Sequence, residues 1–561
     1  MSSEHAMLLG IGVSAGVAIG PIVKVPPAAS FDPDEPGTTE PAPVAERVHA
    51  ALEQVAAGLE ERLTRVPEQA RPVLEATAMM ARDPGLRGSI DTRVSSGAGP
   101  TRAVHEAVEE FATMFTDLGG YMAERVTDLH DVRDRAICRL LGKPEPGIPE
   151  LRTPSIVVAH DLAPAETAAM DRTLVLGIVT AAGGPTSHTA ILASQLGIPA
   201  VVKARDVMNV PEGTVLAVNG GTGEVTVSPT QQEQDELLDR ARRRAAALED
   251  SHGAGVTQDG HAVALLANIG TLDDARSAAG EDIEGSGLFR TEFLFLGRQS
   301  APTVEEQTEI YVEVLRLFGD RRVVIRTLDA GADKPLSFAN LGAEENPALG
   351  RRGLRLGLAI PELLDDQLAA LSAAHQATGA DLRVMAPMVA TCEEAELFAD
   401  KARAVGLPSV GIMIEVPAAA LRSHDLLSIV DFASIGTNDL SQYTMAADRM
   451  EGELANLLDP WQPAVLQLVQ HSCAGGRETG KKVGVCGEAG GDPLLALVLV
   501  GLGISSLSMA PGKVAAVRAA LSMHPLSRCK EMATAAVDAR GATEARAAVL
   551  DMADPELGVL I

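Results

Sequence analysis

The sequence has no apolar run long enough to cross a bilayer, and no basic-then-apolar leader opens it. These two absences predict a cytoplasmic protein. Cysteine is scarce, and its five positions form neither a Cys-x-x-Cys pair nor a Cys/His spacing typical of zinc sites. Reduced thiols are therefore expected at Cys138, Cys392, Cys473, Cys486 and Cys529.

Basic side chains are also few relative to acidic ones: 47 Lys and Arg stand against 76 Asp and Glu, for a net charge of −29. This charge argues against binding to nucleic acid or to an anionic membrane. It is compatible with a basic protein partner and equally with ordinary acidic solubility. The length of 561 residues, with 46% hydrophobic residues, predicts roughly two to four domains with substantial cores.

One histidine lies in a turn with the composition of a phosphate acceptor. Residues 183–190 read Gly-Gly-Pro-Thr-Ser-His-Thr-Ala, after a strand-like apolar run and before a helix-like run. The glycines allow another molecule to approach, and the hydroxyls of Thr186, Ser187 and Thr189, with the helix amides, could receive an anion. His188 is then a candidate phosphoryl acceptor, although a lone histidine more often caps a helix.

Four stretches of the chain carry a family resemblance. Residues 183–202, GGPTSHTAILASQLGIPAVV, resemble the phosphohistidine signature shared by Enzyme I of the phosphoenolpyruvate:sugar phosphotransferase system, pyruvate phosphate dikinase and phosphoenolpyruvate synthase. The other three narrow the resemblance to Enzyme I: GLFRTEFLF from Gly287, GIMIEVPAAA from Gly411 and SIGTNDLSQYTMAADR from Ser434. The likeness extends from about Gly10 to the C-terminus.

The resemblance implies a phosphoenolpyruvate-protein phosphotransferase. In that family the phosphoryl group of phosphoenolpyruvate passes to the histidine that His188 matches and then to the phosphocarrier protein HPr, which serves sugar uptake, while pyruvate leaves. A dikinase or synthase would need a large ATP-binding domain before the phosphohistidine segment, and only about 180 residues, largely helical in pattern, precede it. A catalytically dead scaffold that still binds HPr is a further alternative, against which the intact His188 and Cys486 argue.

The order of patterns in the first 230 or so residues predicts an interrupted α/β domain. A strand-like segment at 8–25 is followed by a proline-rich connection at 26–43 and by helical patterns at 45–141. The clearest helix has one apolar face, formed by Met122, Val126, Leu129, Val132, Ala136 and Leu140. Strand patterns recur at 155–159, 174–179, 200–202, 214–218 and 224–227. Because the first segment has no partner nearby, we expect it to pair with this later sheet and the helices to be an insertion.

The resemblance gives these parts their roles: a phosphohistidine swivelling domain at 1–25 and 144–230, and a helical HPr-binding domain at 26–143. A charged, alanine-rich run predicts a linker helix at 231–252. Residues 253–561 predict a (β/α)8 TIM barrel, with strands at 262–267, 287–289, 323–325, 382–386, 410–414, 432–435, 482–485 and 505–508. In the family this barrel binds phosphoenolpyruvate and forms the homodimer.

Polar side chains follow the predicted barrel strands, and the C-terminal strand ends of such barrels build the active site. The residues at these ends include Asn268, Arg290, Arg326, Asp329, Pro387, Glu415, Asn438, Asp439, Cys486 and Met509. The forks of Arg290, Arg326 and Arg449 match phosphate and carboxylate oxygens. Glu415 and Asp439 offer hard oxygen ligands, and two carboxylates completed by substrate phosphate and water are typical of magnesium, although manganese also fits.

The resemblance agrees with these roles. It implies that Arg290, Arg326, Asn438, Asp439 and Arg449 bind phosphoenolpyruvate, that Glu415 and Asp439 bind the metal, and that Lys334 and Arg352 assist; Thr167 is a candidate for orienting the His188 ring. Cys486 follows an apolar run and should face the barrel mouth. A thiol with an ordinary pKa near about 8.5 is mostly protonated at neutral pH, so it can protonate the enolate left by phosphoryl transfer. The alternative for this thiol is a small buried hydrophobe, while the resemblance favours the proton donor.

Three positions depart from the family pattern. Pro185 stands where many relatives have arginine, and Ala332 replaces a common glycine. Residues 486–491 read Cys-Gly-Glu-Ala-Gly-Gly instead of the usual Cys-Gly-Glu-Leu-Ala-Gly. The residues expected to do the chemistry are unaltered.

Overall fold

The chain forms two compact units, Met1–Arg242 and Arg243–Ile561. The computed structural model describes residues 5–26, 31, 33, 35–62, 71–118, 125–143, 145–149, 151, 153–162, 173–184, 189–190, 193, 196–331, 336–339, 342, 344–449 and 451–561. Among these residues, no helix combines the length and the apolar character needed to cross a membrane.

The first unit contains a mixed sheet of eight strands in its described part. Their bounds are β1 Ala6–Leu9, β2 Ile11–Ser14, β3 Val17–Lys24, β4 Ser155–Ala159, β5 Val175–Thr180, β6 Ala200–Val202, β7 Val215–Asn219 and β8 Glu224–Val227. The strand order is β1-β8-β7-β3-β4-β5-β6-β2. Three of the five later strands have the predicted bounds, and the other two shift by one residue at each end.

The N-terminal strands pair with the later part of the sheet, as the sequence predicts. Strand β3 runs parallel to β4 and antiparallel to β7, and β1 pairs with β8 in a register that sets Ala6 opposite Val227. Three short strands replace the one segment expected at 8–25. One break falls at Gly16, whose φ of +131° is open to glycine and strained for other residues. The chain can thereby change partner strands twice within about twenty residues.

In the described part of the first unit, five helices lie between β3 and β4: α1 Pro41–Arg62, α2 Arg71–Ala81, α3 Pro84–Ser95, α4 Pro100–Leu118 and α5 Val126–Leu140. They share a hydrophobic core of their own. On α5 the predicted stripe is buried at Leu129, Val132 and Ala136, whereas Met122 lies outside the described residues. A further helix, α6 Gln231–Glu249, has no buried residue, which agrees with the solvated helix predicted there.

The second unit is a closed barrel of eight parallel strands, so the predicted TIM barrel and the α/β fold class are confirmed. Its strands are β9 Ala264–Ile269, β10 Gly285–Arg290, β11 Arg322–Arg326, β12 Leu382–Ala386, β13 Val410–Ile414, β14 Phe432–Ile435, β15 Lys482–Val485 and β16 Ser506–Met509. The bounds of β12 to β15 are those predicted, and the other four differ by one or two residues at each end.

Helices alternate with these strands and pack around the barrel. They are α7 Leu272–Ala279, α8 Val304–Phe318, α9 Leu354–Ala359, α10 Pro361–Thr378, α11 Cys392–Ala404, α12 Pro417–Leu421, α13 Ser423–Ile429, α14 Thr437–Met445, α15 Pro463–Thr479, α16 Pro493–Leu502, α17 Val514–Met523, α18 Leu526–Asp538 and α19 Ala542–Met552. Thr271, Thr303 and Thr391 begin three of them with capping boxes. These local signals help to fix where those three helices begin.

The interior of the barrel is divided by one layer of side chains, which we call the lumen cluster: Leu288, Val324, Met385, Met413, Phe432 and Cys486. An upper cavity at the C-terminal strand ends touches this cluster on one side, and a lower cavity at the N-terminal strand ends touches it on the other. Strand β11 shows the alternation clearly: Arg322 lines the lower cavity and Arg326 the upper one, with Val324 between them in the cluster.

Candidate active site

The upper cavity has a volume of about 370 Å³ and gathers residues from most of the barrel strands. Seven residues that the sequence predicts for the site line it, namely Arg290, Arg326, Glu415, Asn438, Asp439, Arg449 and Cys486. The strand-end argument therefore correctly predicts their convergence, while their individual roles stay predictions. Asp329 and Arg352 line the same cavity.

Arg326, at the end of β11, is buried and held between two carboxylates. Its guanidinium pairs with Asp329 at 3.0 Å and forms a second, shorter contact with Glu292. Burial lowers the pKa of Arg326, but the neighbouring carboxylates more than offset this and leave that pKa above its usual range. Arg326 is thus a fixed positive charge in the wall of the cavity.

Arg352 lies just before α9 and extends the same network. It donates to Asp329 at 2.9 Å and 3.3 Å, to Asp439 at 3.0 Å, and to the hydroxyl of Tyr443 at 3.4 Å. Burial lowers the pKa of Arg352, and the two aspartates raise it by more. Asp329 therefore sits between two permanent cations, and Arg352 orients one oxygen of Asp439.

Arg290 and Arg449 differ from these two arginines. Both line the upper cavity, yet across the described residues neither has a carboxylate oxygen within 4 Å of its guanidinium. Arg290 is the exposed last residue of β10, and the Arg449 amide donates to the side chain of Gln442 at 3.1 Å. Two guanidinium groups are therefore available to an anionic ligand.

Glu415 is a buried carboxyl group with an unused oxygen. Its Oε1 accepts from the Met388 amide at 2.6 Å, and in the described part of the chain its Oε2 has no hydrogen-bond partner. Burial, together with the charges of Asp439 and Asp329, raises the pKa of Glu415 to about 8. Gly436 leaves room for this carboxyl group, since a Cβ there would lie 2.6 Å from Oε2.

The donor set at Glu415 and Asp439 fits a magnesium ion. A buried carboxyl group with one unpartnered oxygen lies beside a second carboxylate in the same cavity, and a divalent cation would offset the charge that burial makes costly. No group of three or more His, Cys, Asp or Glu placed to hold a metal occurs among the described residues. The two carboxylates would accordingly need oxygens from substrate and water to complete the shell.

Cys486 lies at the end of β15 in the floor of the upper cavity. The thiol donates to the carbonyl of Ile435 at 3.7 Å, and the cysteine carbonyl accepts from Asn268 at 3.0 Å. Burial raises the pKa of the thiol to about 11, above the ordinary value expected from sequence, although the Ser434 side chain acts in the other direction. The thiol therefore holds its proton throughout the neutral range.

The phosphohistidine turn is described only in part. His188 and Thr167 lie outside the described residues, as do Lys334 and the departures Pro185 and Ala332.

The structure corrects one expectation about this turn. The sequence predicts a Thr189 hydroxyl that is open to an anion, but Thr189 is buried and its hydroxyl contacts the carbonyl of Leu162 at 3.3 Å and the carboxylate of Asp161 at 3.4 Å. The hydroxyl is therefore used inside the fold. Thr186 and Ser187 lie outside the described residues.

Glu292 is a charged residue of the upper cavity that sequence reasoning missed. It lies in the motif GLFRTEFLF, two positions after Arg290, in a short 3-10 turn that follows β10. Its side chain turns back to Arg326, and among the described residues its second oxygen has no hydrogen-bond partner. The available signal was an acidic residue directly after a barrel strand, at the end where such barrels place their sites.

Comparisons with known proteins agree with this geometry. Three family models match the chain: PEP-utilising enzyme, N-terminal, over residues 9–125; PEP-utilising enzyme, mobile domain, over 151–223; and PEP-utilising enzyme, PEP-binding domain, over 244–525. The last covers most of the barrel and its upper cavity.

Two relatives match nearly the whole chain. A phosphoenolpyruvate-protein phosphotransferase of Streptomyces coelicolor is 49% identical over 96% of this chain and 98% of its own length. One of Haloferax volcanii is 39% identical over 94% of this chain and 96% of its own. A solved structure described as an NMR solution structure of Enzyme I (nEIt) is 30% identical and covers 42% of this chain and 98% of that chain, with a TM-score of 0.38, too low to bear on the fold.

Proposed function

The chain belongs to the phosphoenolpyruvate-protein phosphotransferase family, and on that basis we propose that it acts as Enzyme I of a sugar phosphotransferase system. In this proposal the barrel binds phosphoenolpyruvate, the phosphoryl group passes to His188 and then to HPr, and pyruvate is released. The predicted domains keep their proposed roles, with HPr docking on residues 26–143 and a swing of the domain at 1–25 and 144–230. A homodimer through the barrel at 253–561 is part of the same proposal.

One observation carries this proposal: the upper cavity brings together guanidinium groups and a carboxylate oxygen that have no partner among the described residues. Arg290 and Arg449 have no carboxylate partner in the described part of the chain, while Glu415 keeps an oxygen without a hydrogen bond. Phosphoenolpyruvate carries a phosphate and a carboxylate, and with a divalent cation it would satisfy all three groups. The cavity of about 370 Å³ has room for a molecule of that size.

The residues of the upper cavity have separate roles in this proposal, in binding the substrate, in adding positive charge and in holding the metal. Arg290 and Arg449 bind the phosphate and carboxylate of the substrate, and the amide side chain of Asn438 can donate to the same oxygens. Arg326 adds positive charge to the cavity wall, where its two carboxylate partners prevent it from moving. Glu415 and Asp439 would hold magnesium, which offsets phosphate charge during the transfer.

Proton transfer is assigned to Cys486. Loss of the phosphoryl group leaves the enolate of pyruvate, which needs a proton at its methylene carbon. The thiol of Cys486 lines the upper cavity and is protonated because burial raises its pKa to about 11. It can give that proton to the carbon and become a thiolate, which recovers a proton before the next turnover.

Labelling with 32P-phosphoenolpyruvate and magnesium tests the acceptor. We expect an acid-labile label on the wild-type protein, its transfer to added HPr, and no label on His188→Ala. His160→Ala, which changes an exposed histidine at the end of β4, is the matched control and should label normally. An acid-labile label on His188→Ala would show that another residue accepts the phosphoryl group.

The proton donor can be separated from the acceptor by half-reactions. Cys486→Ala should slow phosphorylation by phosphoenolpyruvate and the reverse reaction from pyruvate, because both involve a proton at carbon. Transfer from phosphorylated His188 to HPr should stay near the wild-type rate, since it needs none. Cys392→Ala, at a partly exposed thiol, serves as the control. Normal pyruvate release by Cys486→Ala would disprove the assignment.

The metal site has a direct binding test. Glu415→Ala and Asp439→Ala should each raise the magnesium concentration needed for half-maximal phosphorylation, and should weaken Mn²⁺ binding followed by electron paramagnetic resonance. Glu396→Ala, at an exposed glutamate of α11, should change neither quantity. Unaltered Mn²⁺ binding in both cavity variants would show that these carboxylates are structural.

A further inference from the structure

The lower cavity of the barrel contains a second group of cations. It has a volume of about 30 Å³ and lies at the N-terminal strand ends. Arg322, Arg383 and Lys482, near the starts of β11, β12 and β15, line it. Because side chains alternate along a strand, these residues share the interior face that carries Arg326 and Cys486 at the opposite mouth.

The three cations differ in their partners. Arg383 donates to both carboxylate oxygens of Asp381, at 3.1 Å and 2.9 Å. Arg322 and Lys482 form no hydrogen bond through their side chains and no ion pair with any residue that the structure describes. Burial and the nearby charge of Arg383 lower the pKa of Arg322 to about 10, and the acids Glu284 and Asp381 do not offset this. A half-buried cation is therefore left uncompensated.

The two unpaired cations face each other across the lumen. In the closed strand order, β11 and β15 are four strands apart in an eight-stranded barrel, so Arg322 and Lys482 start from opposite walls. Arg383 comes from β12, the direct neighbour of β11. An anion between the walls would thus be within the field of all three positive charges.

Four serines, Ser434, Ser505, Ser506 and Ser508, complete the lining. Ser505 already donates to the Val483 carbonyl at 3.0 Å and Ser508 to the Asn268 side chain at 2.6 Å, and the Ser434 side chain bonds to Cys486. The Ser506 hydroxyl is therefore the donor that a ligand in the cavity can use. The space beside it is kept open by Gly484, where a Cβ would lie 2.4 Å from the Ser506 hydroxyl. The volume of about 30 Å³ admits a small group of a few atoms and not a large ligand.

We propose that the lower cavity binds a single small oxyanion group between Arg322 and Lys482, with the Ser506 hydroxyl as an additional donor. The group is either a free phosphate ion or the carboxylate of a small acid, since both present the oxygen acceptors that a guanidinium recognises. The site is separated from the upper cavity by the lumen cluster and does not depend on the proposed function. The bound oxyanion would supply a negative charge next to the Arg322 guanidinium.

The test measures stabilisation of the barrel by added anions in the full-length chain. Trp461 is the sole tryptophan and is buried in the barrel, so its fluorescence during heating reports on this unit. Wild-type midpoint temperatures are recorded against phosphate, acetate and chloride at constant ionic strength. We expect a saturable rise with the oxyanions that chloride does not reproduce. The larger rise, with phosphate or with acetate, identifies which source the site prefers.

Variants locate the bound anion. Arg322→Gln and Lys482→Gln should each weaken the apparent affinity about tenfold, while Arg316→Gln, at an exposed arginine of α8, should not change it. Arg449→Gln removes an anion-binding group of the upper cavity, so the part of the rise that this variant retains belongs to the lower cavity. The proposal is overturned if the rise is lost in Arg449→Gln and kept in Arg322→Gln, or if chloride gives the same rise as the oxyanions. Lys482→Gln changes an exposed side chain, so it keeps the test open if Arg322→Gln folds poorly.

Discussion

The two ends of the barrel differ in whether their buried arginines are paired with carboxylates. In the upper cavity, Asp329 lies between Arg326 and Arg352, and each of these arginines has a second carboxylate as well. In the lower cavity Arg322 has no such partner among the described residues, although it lies on the same strand as Arg326, four positions away. The number of cations is similar at the two mouths, but the number of paired cations is not.

This difference separates two uses of an arginine. A guanidinium held by two buried carboxylates is part of the wall, because moving it would leave buried charges without partners. A guanidinium without a partner can bind an anion at little cost to the fold. By this criterion Arg326 and Arg352 position the site, whereas Arg290, Arg449 and Arg322 are available to ligands.

The largest expected effect comes from breaking the paired network at its centre. Asp329→Asn keeps the shape of the side chain and removes its charge, so that two buried arginines each lose one partner. We expect the free energy of barrel unfolding in urea, followed by Trp461 fluorescence, to fall by about 3 kcal/mol. Asp273→Asn, whose side chain is 89% exposed, should change it by less than about 0.5 kcal/mol. Equal effects of the two variants would mean that the buried ion pairs of Asp329 stabilise the barrel no more than an exposed ion pair does.

The next prediction concerns Cys486, the thiol of the lumen cluster that borders the upper cavity, where a buried and an ordinary thiol would differ about tenfold in their protonated fraction. A cysteine with an ordinary pKa near about 8.5 would be only about one-tenth protonated at pH of about 9.5. Burial raises the pKa of Cys486 to about 11, so the thiol stays protonated there. At saturating magnesium, which keeps the Glu415 carboxyl group ionised, the single-turnover rate of pyruvate formation should therefore be nearly constant between pH of about 7.5 and 9.5. A tenfold fall of this rate over the same pH range in the wild-type protein, absent from Cys486→Ala, would show that the Cys486 thiol loses its proton in this range and that burial does not raise its pKa.

The smallest effect is expected at the lower mouth, from Asp381→Asn. The Asp381 and Arg383 side chains are 43% and 28% exposed, and such pairs contribute at most about 1 kcal/mol. Stability without added anion should thus change little. Since Arg383 would lose its carboxylate partner, phosphate should bind about twofold more tightly by the same thermal measurement. Weaker binding would contradict the view that Asp381 competes with the anion for Arg383.

Strand alternation is the reason that much of the site could be predicted from sequence. Once a segment such as 410–414 is recognised as a buried parallel strand, the next residue must lie at the barrel mouth, and Glu415 does so. No comparable rule covers the turn after β10. The direction of Glu292 depends on a 3-10 turn whose geometry follows from packing, so its contact with Arg326 could not be read from spacing.

The remaining differences have similar physical causes. The segment at 8–25 has a strand-like composition throughout, and only the backbone conformation at Gly16 shows where the chain turns to another partner. The hydroxyl of Thr189 looked available in the sequence, but burial commits it to Asp161 and Leu162. The pKa of Cys486 likewise depends on a layer of side chains from six strands, which the residues around it in sequence do not reveal.

The pairing of β1 with β8 also has a consequence for protein synthesis. Ala6 lies opposite Val227, so about 220 residues must be made before the first strand can meet its partner. At a ribosomal rate of about 5–20 residues per second, β1 has no partner strand for roughly 10 to 45 s. Its apolar side chains Met7 and Leu9, which stay exposed in the folded protein, are also exposed during this time. The inserted helices, whose core comes from neighbouring segments, can fold during this interval. The helical insertion of the nascent chain can therefore fold before the sheet, whose strands come from both sides of it in sequence.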